Sequence, residues 1–199
     1  MSFTKSRDEA WALLNEYTQS DSLLKHALAV EAAMRWYARQ LGEQEDLWGI
    51  TGLLHDFDYE RFPTYSLEGS EPTGHPFEGV RILRGLGYPE EMLTAILGHA
   101  TYSGVERKTP LERALFAVDE LSGLITAAVL VRPDRSIHAL EVKSVRKKMK
   151  DKAFARGVNR EDIDVGAAEM GIEIDQHIGN VIAGLKVAAV PLGLNGIGA

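Results

Sequence analysis

Apolar positions recur every three or four residues along most of this chain, and no convincing alternating strand pattern is visible. Asp8 through Tyr17 opens with acids and carries Trp11, Leu14 and Tyr17 on one stripe, which predicts a helix. Asp21 or Ser22 is placed to cap a second helix running to about Leu41, with Gly42 as its stop. Its stripe holds Leu23, Ala27, Val30 and Met34, and His26 sits beside that stripe, facing inward. Glu45 to His55 reads as a third helix with Trp48, Leu53 and Leu54 in the core. From Asp58 to Gly74 the period is lost among Pro63, Ser66, Gly69, Ser70, Pro72 and Thr73. Long loops of this kind often form the wall or lid of an active site.

Pro76 suits the first turn of a helix that continues to about Leu86, leaving His75 at its start, and Gly87 ends it. Pro89 begins another, which turns Met92, Ile96 and Leu97 inward and finishes near His99. Pro110 opens a long helix to about Val131, where Arg132-Pro133-Asp134-Arg135 makes a turn. Asn159, with Asp162 three residues on, resembles the cap of a short helix. The last helix shows Ile178, Val181, Ile182, Leu185 and Ala189 as a stripe, and Pro191 breaks it. The tail from Gly193 to Ala199 is expected to be mobile. The predicted fold is all-α, a helical bundle. Residues 1–135 form the domain that carries the candidate chemistry, and 136–199 a helical extension packed on it. The apolar last helix packs on the core in the simpler reading and forms a homodimer contact in the other.

Composition narrows the chemistry. With 199 residues, 45% of them hydrophobic and 26% charged, the chain can bury a core of ordinary globular size. It has no cysteine, which excludes disulfides, thiolate ligands and cysteine nucleophiles. Any transition metal must therefore be held by histidine and carboxylate. Met1 to Glu9 lacks the apolar run of a secretory signal, and a stretch such as Ile125–Val131 is too short to span a bilayer. A cytoplasmic location with no membrane partner is the resulting expectation.

The net charge of −7 is uneven. Lys143, Arg146, Lys147, Lys148, Lys150, Lys152, Arg156 and Arg160 face a single acid, Asp151, so that segment is +7 and the remainder −14. A local basic patch on an acidic chain argues against a nucleic-acid polymer and for a small anionic substrate. Lys143, Lys147 and Lys150 recur at helical spacing, with Arg146 one turn before Lys150. If this segment folds over a catalytic cleft, Lys143, Arg146, Lys147, Lys148 and Lys150 would converge on a phosphate or carboxylate.

The candidate chemistry centres on Gly52-Leu53-Leu54-His55-Asp56-Phe57-Asp58-Tyr59, where an apolar run delivers a histidine and an aspartate side by side. Around it lie His26, His75, His99 and Asp119, each near a helix or at its end. Asp119 falls among Leu115, Phe116, Val118, Leu121 and Leu124, where a carboxylate is costly unless paired or bound to metal. His26, His55, Asp56 and Asp119 offer two imidazoles and two carboxylates, a set suited to a divalent transition ion with positions left for water. His75 and His99 could hold a second ion, with Asp56 bridging both. His138 and His177 read as hydrogen-bonded core histidines.

The order His26, His55-Asp56, His75, His99, Asp119 resembles the HD-domain superfamily of helical metal-dependent enzymes. Leu54 to Glu60 with Pro63, and His75 with Gly79, Ile82, Leu83 and Gly87, also resemble small bacterial HDIG-type proteins described mainly as phosphohydrolases. The resemblance implies that His26, His55, Asp56 and Asp119 bind one metal and Asp56, His75 and His99 a second. The implied cofactor is one or two divalent ions: Fe, Mn, Zn, Ni or Mg. Many members follow the doublet with Ile-Gly-Lys or Leu-Gly-Lys, where this chain has Tyr59 in place of the lysine that handles substrate anion.

Hydrolysis of a phosphoester through metal-activated water is the leading expectation, with Asp56 as ligand and Asp58 moving a proton to the leaving oxygen. Arg61, beside the metals, joins the basic segment as a candidate substrate contact. Some HD-fold proteins with the same six residues, similar to myo-inositol oxygenase and to a di-iron enzyme that cleaves aminophosphonates, activate dioxygen instead. The spacing from His75 to His99 is compatible with that group. A metal-stabilised domain that only binds a ligand is the third alternative.

Overall fold

A computed structural model describes residues 5–197, and among these there is no β-strand. Nine helices follow one another among the described residues: α1 (Arg7–Tyr17), α2 (Asp21–Leu41), α3 (Glu45–Leu54), α4 (Phe77–Gly85), α5 (Glu90–His99), α6 (Pro110–Leu130), α7 (Val142–Lys150), α8 (Arg160–Glu169) and α9 (Ile174–Val187). The fold is all-α, as the periodicity predicts.

The helix starts follow from local hydrogen bonding. Ser6 and Glu9 form a capping box on α1, and Thr109 and Glu112 form another on α6, with Pro110 at the first helical position. The Asn159 side chain accepts from the amides of Glu161 and Asp162 at the start of α8. Gly42 closes α2 in the left-handed conformation, at φ 72°.

α3 is buried from Leu47 to Leu54, so its neighbours must approach it on all sides. Its main partner is α2. Gly52 makes that approach close: a Cβ there would lie 3.0 Å from the Val30 carbonyl oxygen and 2.9 Å from Met34 Cγ. α6 packs on α2, α5 and α8, and α9 closes over α2. A single core runs through the bundle, joining Val30, Met34, Leu53, Leu115 and Leu121 to Ile163, Ile178, Val181 and Leu185 of the last two helices.

Three local expectations differ from what is observed. The tail is anchored rather than mobile: Leu192 and Leu194 are buried and join the core. The Leu194 amide donates to Ala189 O at 2.8 Å, its carbonyl accepts from the Ile137 amide at 2.9 Å, and the Ile197 amide donates to Asp134 O at 3.0 Å. Two leucines in alternation past the helix stop are enough to hold it, although Gly198 and Ala199 lie outside the described residues. The stretch after Asp58 is not wholly irregular, because Ser66 and Thr73 pair their amides and carbonyls at 2.9 and 3.1 Å. His138 is exposed, with Nε2 2.8 Å from Asn195 Oδ1, and is not a core residue. His177 is one: Nε2 donates to Ala117 O at 2.8 Å, which leaves Nδ1 to accept from the Tyr37 hydroxyl at 2.6 Å.

Truncating Leu194 to Ala removes fully buried apolar volume and is expected to cost about 2–4 kcal/mol. Ile197→Ala, three residues later and exposed, is expected to change stability by less than about 0.5 kcal/mol. Urea unfolding of the two variants checks this, and equal effects would mean that the tail is not part of the core.

Candidate metal centre

The six ligand-type residues come from three helices and from the connection between α3 and α4. His26 lies in the second turn of α2 and Asp119 in the middle of α6, which packs against it. His55 caps the C-terminus of α3 and Asp56 follows in the turn. That turn stays tightly wound: Tyr59 N bonds Asp56 O at 3.0 Å, Arg61 N bonds Asp58 O at 3.1 Å, and the Thr18 hydroxyl donates to Phe57 O at 3.0 Å. Phe57 is buried and pins the turn to the core, so Asp56 and Asp58 on either side of it are fixed as well. His75 precedes α4, and His99 is the last residue of α5.

Asp56 stands between two groups of histidines. Its Oδ2 is 3.4 Å from His55 Nε2 and 3.9 Å from His26 Nε2. Its Oδ1 is 3.2 Å from both His75 Nε2 and His99 Nε2. Asp119 Oδ1 completes the first side, 2.9 Å from His26 Nε2 and 3.4 Å from His55 Nε2.

Three of the imidazoles are oriented by the nitrogen that faces away from the cluster. His55 Nδ1 donates to Gly52 O at 2.8 Å, His99 Nδ1 to Ile96 O, and His75 Nδ1 to Asp58 Oδ1 at 2.7 Å. Each partner is an acceptor only, so the neutral ring carries its proton on Nδ1 and aims the Nε2 lone pair inward. Metal-ligating histidines are held by this arrangement of outer hydrogen bonds. His55 Nε2 is the telling atom: it is buried and has no hydrogen-bond partner. A buried acceptor without a partner is costly, and a cation between the carboxylates would satisfy it.

The donor atoms fall into two close groups, His26–His55–Asp119 and His55–Asp56–His99, each within 4.8 Å. Both differ from the expected sets: the first lacks Asp56, and in the second His55 stands where His75 was expected. Either group could hold a divalent ion with histidine and carboxylate donors.

The electrostatics fit the same purpose. Burial opposes charge on His55, yet the carboxylates of Asp56 and Asp119 hold its pKa well above the usual imidazole range. Burial likewise opposes ionisation of Asp56 and Asp119, but the facing imidazoles keep both well below the ordinary carboxylate range.

Asp58 was expected to move a proton, and its surroundings give it another task. It is buried, with Oδ1 on His75 and Oδ2 accepting from the Gly79 amide at 2.7 Å. Both oxygens are engaged, one on His75 and the other on the Gly79 amide. Gly79 is what permits this, since a Cβ there would lie 2.7 Å from Asp58 Cγ.

Two neighbours escaped the sequence reading. Tyr102 donates its hydroxyl to His75 O at 2.9 Å and stacks on Tyr65 at 3.8 Å, and burial with the nearby Asp56 and Asp58 pushes it up to about 12. Glu120 follows Asp119 and accepts from the Asn159 amide at 3.1 Å; burial and Asp119 push its carboxyl up to about 7. Tyr59 sets its ring edge against His75, centroids 5.4 Å apart.

The expected anion contacts are more dispersed. Arg61 lies over the Tyr17 ring at 4.0 Å and bonds Glu16 O, which turns it toward α1. α7 packs on α6 and α9. Lys143 pairs with Glu141 at 2.7 Å, Arg146 with Asp175 at 3.1 Å, and Lys148 lies over the Phe154 ring at 4.3 Å. Lys147 and Lys150 take part in none of the ion pairs found among the described residues. None of these cations pairs with the cluster; the link is indirect, through Asn159 on Glu120.

Against known proteins, the HD domain family matches residues 23–124, about half of the chain, from the start of α2 into α6. All six cluster residues lie within that span. No curated protein and no solved structure matches the chain.

Replacing Asp58 by Ala frees His75 Nδ1, and Gly79→Ala displaces the carboxylate that holds it. Both changes are expected to remove the downfield Nδ1–H resonance of His75 from proton NMR spectra and to cost about 1–3 kcal/mol. Glu120→Gln should leave that resonance in place. A signal that survives in Asp58→Ala would show that the carboxylate does not orient the ring.

Proposed function

The chain belongs to the HD-domain family, and from that premise we propose that it is a metal-dependent phosphohydrolase acting on a nucleotide or another small phosphate ester. The observation that carries the proposal is the buried, unpartnered His55 Nε2 between two carboxylates, in a set of donors already oriented for metal. In this reading His26, His55, Asp56 and Asp119 hold one ion, and Asp56, His75 and His99 hold a second. Bound divalent ions there would supply water of lowered pKa and charge for the phosphoryl oxygens.

The chain's own groups would set up that chemistry. Asp56 presents one oxygen to each side and fixes the separation of the two donor groups. Asp58 is a positioning residue for His75, and the Gly52 and Ile96 carbonyls do the same for His55 and His99. Tyr59 stands beside His75, where many relatives place a lysine, so phosphate charge has to be met by the metals and by more distant cations. Lys147 and Lys150 on α7 would draw the anion toward the site over some distance.

A second reading shares the site. His75 and His99 face one oxygen of Asp56, which supports a di-iron oxygenase as well. Histidine and carboxylate suit iron as readily as manganese or zinc, so ligand type does not choose between them.

Asp56→Ala is expected to lose bound metal and turnover together. Metal analysis of the purified protein, with phosphate release from p-nitrophenyl phosphate and nucleoside monophosphates, makes the test. Two irons per chain with oxygen uptake and no phosphate release would move the assignment to the oxygenase. Bound metal with neither activity would leave a metal-stabilised binding domain.

The basic helix makes its own prediction. Changing Lys147 and Lys150 together to Ala should raise KM for an anionic substrate by about 2- to 10-fold and leave kcat unchanged. Steady-state kinetics at low and high salt measure this, and an unchanged KM at low salt would remove α7 from substrate capture.

A further inference from the structure

Outside the metal centre, the bundle has a hollow of about 350 Å³ where the ends of α2, α6 and α8 meet the side of α9. That is within the size range of small-molecule sites. Leu41, Pro110, Met170 and Ile172 give it apolar walls, and Leu41 is half exposed. Gln40, Gln176 and Asn180 add amides.

Its floor is rigid. The Tyr37 hydroxyl is committed to His177 Nδ1 at 2.6 Å and lies 3.4 Å from the Asn180 amide nitrogen; His177 is tied in turn to Ala117 O. Tyr37 and His177 are both buried. The floor therefore offers fixed polar atoms and no spare charge, since burial holds the His177 pKa below the ordinary imidazole range.

Charge enters at one side only. Glu169 and Arg113 both line the hollow. Glu169 is matched by Arg107, which binds it through two nitrogens at 2.7 Å each and is itself fixed over the Phe116 ring at 3.6 Å. Arg113 takes part in none of the ion pairs found among the described residues. The hollow thus presents one uncompensated guanidinium beside apolar walls and amides.

We propose that this hollow is a second ligand site, for a small carboxylate with an aromatic or branched apolar body. The carboxylate pairs with the Arg113 fork, the body lies against Leu41, Met170 and Ile172, and the amides of Gln40 and Gln176 take remaining polar atoms. A single planar cation suits a monoanionic carboxylate better than a phosphate dianion, which calls for more than one positive partner. The site is separate from the cluster: Arg113 precedes Asp119 by six residues on α6, and Tyr37 follows His26 by eleven on α2. At the helical rise those are about 9 and 16 Å along the two helices.

The test uses metal-loaded protein labelled at its methionine methyls, with benzoate as the probe and benzyl alcohol and phenyl phosphate as comparisons. Among the described residues Met170 is the methionine that lines the hollow, and its signal is assigned by its loss in Met170→Leu. Benzoate should shift that methyl saturably with a dissociation constant on the order of 1 mM. Arg113→Gln, a change at an exposed position, should weaken benzoate about tenfold or more and leave benzyl alcohol unaffected. No saturable shift, an equal response in Arg113→Gln, or tighter binding of phenyl phosphate would overturn the proposal. A Met170 shift that follows protein concentration without benzoate would overturn it too, because a second copy would then cover the hollow.

Discussion

Asp56 has to face two groups of imidazoles with one carboxylate, and the surrounding structure is arranged so that it can. Its oxygens reach His55 and His26 on one side, His75 and His99 on the other, at 3.2 to 3.9 Å. A residue in a turn ordinarily has freedom to move. Here the freedom is removed by Phe57, buried directly after it, and by the hydrogen bonds that wind the chain from His55 to Phe62. Three of the histidines are fixed by a bond from Nδ1, His55 and His99 to carbonyls of their own helices and His75 to Asp58. Preorganised donors of this kind do not have to be ordered when an ion arrives.

That arrangement places demands on the helices. His55 reaches His26 only because α3 lies close to α2, and the approach depends on the missing side chain at Gly52. The same glycine supplies the carbonyl that orients His55, so one residue serves both the packing and the ligand. Asp119 must then be presented from α6, which is held against α2 and against α5, the helix that ends in His99. α8 and α9 brace α2 and α6 from the outside. The cluster is therefore a property of the whole bundle and not of the loop between α3 and α4.

Much of this was legible in the residue order. The period of apolar positions placed the helices, and prolines and glycines placed their ends, because helix signals are local. The His55-Asp56 doublet and Asp119 stood out because charged or polar groups inside apolar runs require a partner. What could not be read were the meetings between distant side chains. Asp58 looked like a free acid since nothing in the order shows that Gly79 and His75 close on both of its oxygens. Tyr102 sits in a short polar stretch after His99 with no period to mark it, and Glu120 becomes unusual only when α8 brings Asn159 against it. The tail was misread for a different reason: Leu192 and Leu194 form too short a pattern to outweigh the glycines around them.

Charge connects the site to the proposed chemistry. The cluster has four imidazoles, which as metal ligands are neutral, and two carboxylates, while Asp58 is already committed to His75. One divalent ion would balance Asp56 and Asp119 and leave little field for an anionic substrate. Two ions would leave an excess of about two positive charges in a partly buried site, where poor screening strengthens attraction. A phosphate monoester dianion, or a diester together with a hydroxide, matches that excess, and a neutral substrate does not. On this argument the number of ions is tied to the kind of substrate. In the proposed reading, a chain that is acidic apart from one basic segment would rely on both ions to attract a phosphate, with Lys147 and Lys150 serving approach rather than the reaction.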